Sequence, residues 1–160
     1  MTELPHNWNE IRADKGFWDL VRAFQEADSR WSIEELSDED EAQLHELALD
    51  FVTSEGDTVF GLDFVNHHGR PASATVQQVA GKFYVADWSD PPLLCGPHAT
   101  VEAGAMEIIS GGNGDTFTGA SSSLPAGQMH ALCAEAAGNN HVFKINGVMH
   151  IRTAEGFVPA

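Results

Sequence analysis

Cys95 and His98 stand three residues apart in "CGPH", and His67 and His68 are adjacent in "HHGRP". These are zinc-ligand types, and zinc takes three or four such donors converging on one point. Neighbouring residues at a strand end point to opposite faces, so His67 and His68 do not offer both rings to one ion. No second paired motif completes a set around Cys95 and His98. The expectation is no metal and no cofactor, with His67-His68-Gly69-Arg70-Pro71 as a solvated turn. Nucleophilic chemistry has little more support. Ser121, Ser122 and Ser123 lack the elbow pattern that exposes a catalytic serine, and no histidine accompanies either cysteine in a recognised order. Cys133 falls on an apolar helical stripe, where it reads as a small core residue. His98, His130, His141 and His150 remain as residues to line the pocket of a small enzyme or ligand-binding domain, but their spacing names no reaction.

"GNGDTFTGA" (112–120) resembles the second signature of the ribokinase-like sugar kinases, which reads Gly-Ala-Gly-Asp followed by an aromatic and a small residue. The resemblance implies an anion hole at Gly112 and Gly114, whose amides hold the transferred phosphate, and Asp115 as the base that takes the proton of a sugar hydroxyl. Asn113 replaces the family's alanine. The family's motif also runs into a helix, where this chain has Ser121–Ser123 and Pro125. "SGGNGDTFTGASSS" (110–123) is therefore read as a long polar surface loop between two helices.

Charge carries more weight. Eight Lys and Arg against 24 Asp and Glu give a net charge of −16, which argues against nucleic acid or an anionic membrane as partner. Twelve of those acids lie between Glu26 and Asp57, where only Arg30 opposes them. Half the negative charge in a fifth of the chain makes a patch, and a patch can dock. Its candidate partner-binding carboxylates are Glu34, Glu35, Asp38, Glu39, Asp40 and Glu41. Trp88 adds an aromatic between Asp87 and Asp90, followed by two stiffening prolines, and an aromatic flanked by acids suits a basic partner protein. In size and charge the chain resembles the bacterial immunity proteins. That likeness implies occlusion of a toxin's cationic active site and no catalysis of its own. Glu107, on another helix, serves as a reference position outside the patch.

These residues must be held by elements whose periods are readable. Phe17, Leu20, Val21 and Phe24 share one face of a first helix, and Leu44, Leu47, Ala48 and Phe51 one face of a second. Ser37 suits the cap of the second helix, and Ser32 with Glu35 suggests a short turn before it. Val101, Ala105, Ile108 and Ile109 mark a third helix ending at Gly111-Gly112. Met129, Leu132, Cys133 and Ala136 mark a fourth, between Pro125 and Gly138. Residues 58–65, 73–79 and 82–88 alternate as strands. In "HVFKINGVMHIRT" (141–153), Asn146-Gly147 predicts a type I′ hairpin that sets Ile145 against Val148 and Phe143 against His150. The expected fold is a single α+β domain over residues 1–160. It pairs an antiparallel sheet, a three-strand meander plus the C-terminal hairpin, with about four helices grouped on one side.

The two cysteines make no disulfide framework. The longest uncharged run, Thr116 to Ala134, holds Pro125, His130 and three serines, which hydrocarbon rejects. The acidic start lacks the basic and apolar regions of a secretory signal. A cytoplasmic location follows as the expectation.

Overall fold

A computed structural model describes residues 8–27, 41–66, 68–88, 92–111, 116–138, 141–154 and 156–160. The helices are α1 (Trp8–Ala13), α2 (Lys15–Ala27), α3 (Glu41–Glu55), α4 (Val101–Gly111) and α5 (Ala126–Ala137). The strands are β1 (Asp57–Val65), β2 (Pro71–Val79), β3 (Lys82–Asp87), β4 (Leu93–His98), β5 (Thr116–Ser122), β6 (Val142–Ile145), β7 (Val148–Thr153) and β8 (Gly156–Pro159). All eight strands join one sheet in the order β4-β3-β2-β1-β5-β6-β7-β8.

The α+β class holds, but the sheet is mixed rather than antiparallel, because β5 and β6 run parallel. Residues 116–122, read as surface loop, instead form β5 at the centre, hydrogen-bonded to β1 on one side and β6 on the other. Thr116-Phe117-Thr118 supplies β-favouring residues, and Gly119-Ala120 is small enough for two neighbouring strands to close in. The expected caps and turn at Ser32, Glu35 and Ser37 lie outside the described residues, as do Gly112, Asn113, Gly114 and Asp115. Beyond Asp115 the chain enters a strand, not the helix that the kinase resemblance requires.

Helices cover both faces of the sheet, not one. On β3, Val85 packs with Val101, Ala105 and Ile108 of α4, while Tyr84 and Ala86 pack with α1, α2 and α3. Alternate residues of a strand point to opposite faces, so an apolar run such as Phe83-Tyr84-Val85-Ala86 must be buried on both. One face carries α4 and α5 over Phe60, Leu62, Phe64, Val76 and Phe143. The other carries Phe17, Trp18, Val21, Leu44, Leu47 and Phe51 over Val79, Tyr84 and Leu94. Leu20, expected on the buried face of α2, is 41% exposed. The inward arc of that helix is rotated toward Trp18, whose Nε1–H donates to the Ile11 carbonyl at 2.8 Å and fixes α1 against α2.

The C-terminal hairpin follows its sequence in detail. Ile145 pairs with Val148 and Phe143 with His150, and Asn146 and Gly147 have φ of 49° and 81°. Both central residues are left-handed, as a type I′ turn demands. Gly147→Val is therefore expected to cost about 2 kcal/mol, since a β-branched residue resists positive φ. Thermal denaturation of the variant with an unchanged midpoint would remove this account of the turn.

Candidate functional site

Of the expected docking carboxylates, Glu34, Glu35, Asp38, Glu39, Asp40 and Asp90 lie outside the described residues. Glu41, Asp87 and Trp88 are described; Glu41 begins α3, whereas Asp87 follows Val85 on β3 toward the α4 side, where its charge acts on Cys95. Asp87 ends β3 opposite Leu93, and the next pair is Ala86 with Leu94. The Leu94 N–H donates to Nε2 of His45 at 3.1 Å, which fastens β4 to the first turns of α3. Glu41 stands one turn before His45 on the same helix face. Its Oε2 accepts the Trp8 indole N–H at 2.7 Å and the Arg12 Nε–H at 3.0 Å. Glu41 thus also ties α1 to α3. Trp88, just past β3, donates its backbone N–H to the Ser73 carbonyl at 2.9 Å while its side chain stays 42% exposed. The backbone of Trp88 is thus pinned to β2 while part of its ring remains open to solvent.

A second cluster joins residues that the sequence separates. The register between β3 and β4 shifts between Phe83 and Val85, so Cys95 and His98 both oppose residues of the α4 face. This bulge in β4 is what lets two positions three apart share a face. There His98 Nε2 meets Glu107 Oε2 of α4. The Cys95 thiol pKa is pushed up to about 12, first by burial, then by the charge of Glu107 and a hydrogen bond to it. Such a thiol stays protonated at neutral pH. Glu107 is accordingly no inert reference position. The "CGPH" spacing was visible in the sequence, whereas the arrival of Glu107 from α4 depends on tertiary packing.

The four candidate pocket histidines do not meet. His98 sits at the β4 edge. His130 and His150 lie toward the other end of the sheet, with ring centroids 6.2 Å apart, and His141 is exposed. Both cysteines are free, and Cys133 is buried in the α5 face with its thiol raised to about 11 by burial. His68 and Gly69 form the expected turn, whose N–H groups are received by Asn66. A recess of about 190 Å³ lies between α2 and the β2–β3 turn, with the Asp14–Lys82 ion pair of 2.6 Å at its rim. The hydrogen bond from Lys82, aided by the Phe17 N–H, holds the Asp14 carboxyl below its usual range.

Among the described residues no three of His, Cys, Asp and Glu are placed to hold a metal ion, and no helix is long and apolar enough to cross a membrane. Comparison with protein-family models, with curated proteins and with solved structures finds no match.

Proposed function

We propose that this chain is a protein-binding protein that docks on a basic partner through the acids at the start of α3 and the Trp88 that follows β3. The observation that carries the reading is an exposed, backbone-anchored Trp88 just past β3, in a chain of net charge −16. The mechanism is occlusion, in the manner of an immunity protein. Carboxylates of residues 34–41 enter the cationic active-site cleft of a toxin-like partner while the Trp88 indole seats in an adjoining apolar pocket. Opposite charge speeds encounter, and the buried aromatic sets the lifetime.

The test is capture from the source organism's lysate at low and high salt, followed by association kinetics with the captured protein. Trp88→Ala is expected to weaken binding by about 2 kcal/mol, chiefly through faster dissociation, as loss of an aromatic hot spot does. Added salt is expected to slow association instead. A partner whose binding ignores both Trp88→Ala and salt would defeat the reading.

A further inference from the structure

His45 is enclosed to 2% exposure, and its Nε2 accepts the Leu94 N–H at 3.1 Å. A ring nitrogen that accepts carries no proton, so the imidazole is neutral with its hydrogen on Nδ1. The Trp8 ring meets it edge to face at 5.5 Å, and Trp8 in turn is held by Glu41. One side chain therefore touches α1 and an outer strand of the sheet from within α3. We propose that His45 is a proton-sensitive latch, which holds β4 and α1 to α3 at neutral pH and lets this corner open on acidification. A proton on Nε2 turns the acceptor into a donor facing the Leu94 N–H. The bond is lost, and a charge is left in apolar surroundings.

The charged groups around the latch do not counter this. Glu41 from α3 and Arg12 from α1 are paired with each other at 3.0 Å. On β4, Cys95 and His98 turn to the opposite face with Glu107. On the sheet residues beneath α3, β3 offers Tyr84 and Ala86 and β2 offers Gln77 and Val79, none of them charged at neutral pH. From α2, Lys15, Asp19 and Glu26 face solvent and Arg22 is held by Gln25. Burial accordingly keeps the His45 pKa below its ordinary 6.5. The closed corner then refuses a proton that the open corner accepts. Its stability is complete above pH 6.5 and declines as pH falls below that value, until the folded pKa is reached.

Amide hydrogen exchange on the full chain, followed by NMR from pH 7.5 downward, tests the latch. After correction for intrinsic rates, protection of the Leu94 amide is expected to fall about tenfold per pH unit below 6.5, while the central amides of β1 and β2 hold. His45→Gln keeps an acceptor near the ε position without titrating, and in it the selective loss should vanish. Nitrogen shifts of the wild-type ring should report a proton on Nδ1 at pH 7.5, a readout that needs no variant to fold. A proton on Nε2, Leu94 protection that tracks the central strands, or an equal loss in His45→Gln would each overturn the proposal.

Discussion

Gly119→Val is expected to destabilise the protein by about 3 kcal/mol or more, with the β6–β8 end of the sheet failing first. A Cβ at Gly119 would lie 2.9 Å from the Lys144 carbonyl oxygen and 3.2 Å from the Lys144 Cβ. The nearer atom is backbone and cannot rotate aside. Moving β6 away would strain the bond from the Asn146 N–H to the Ala120 carbonyl, 2.9 Å. It would also pull the Asn146 side chain, which accepts the Ser122 N–H at 2.9 Å and donates to the Ser122 carbonyl at 3.3 Å. Among the described residues the sheet joins β6 to the β1–β5 half through this parallel pair, whose register spans Gly119–Ala120 and Lys144–Ile145. A urea melt should show a lowered midpoint, and exchange protection in β6 and β7 should drop more than in β1 and β2. A valine variant that melts with the wild type would mean that β5 and β6 do not approach as closely as this.

That strand also shows where sequence reading loses its grip. The hairpin around Asn146-Gly147 was legible because its turn chemistry and its partner lie within a few residues of each other. The meander was legible for the same reason: β1, β2 and β3 begin and end within two residues of their expected bounds. β5 has no such neighbour. Its partners are β1, some fifty residues earlier, and β6, reached through α5, so its Thr, Gly and Ser residues look like loop until both arrive. β4 hides behind Gly96 and Pro97, residues that argue against a strand except at an edge or a bulge, and β4 has both. β8 is four residues long and pairs with β7 at the edge of the sheet. α1 has six residues, too few for a period, and is held by tertiary contacts of Trp8 and Arg12. Phe83-Tyr84-Val85-Ala86 is apolar without alternation, which speaks for burial on both faces and so for helices on both.

The candidate docking residues divide in the same way. Trp88 stood out by its type and its acidic neighbours, and it is exposed on a fixed backbone. Glu41 stood out only as one acid among many. Its link to Trp8 crosses 33 residues, and nothing local in "DEDEA" announces it. Among its described residues the patch therefore holds acids on exposed helix faces, such as Glu46, and Glu41, which also ties α1 to α3.

Glu41→Lys separates those kinds. The variant is expected to lose about 2 to 3 kcal/mol of stability, where an exposed reversal on the same helix, Glu46→Lys, should stay within about 0.5 kcal/mol. The ion pair with Arg12 contributes the smaller share. Its side chains are 31% and 41% exposed, so solvent screens it to the level of a surface pair, below about 1 kcal/mol. The larger share comes from Trp8, which is 5% exposed and whose indole N–H would lose its acceptor, at about 1 to 3 kcal/mol. A lysine there would also face Arg12 and the positive end of the α3 dipole, adding roughly 0.5 kcal/mol. Glu41→Gln keeps an oxygen for the indole and should retain most of the stability. Urea denaturation of the three variants measures the fold, and partner association rates in the same variants measure docking. If Glu41→Lys melted like Glu46→Lys, α1 would not depend on this tether, and Glu41 would rank with the exposed acids of the patch.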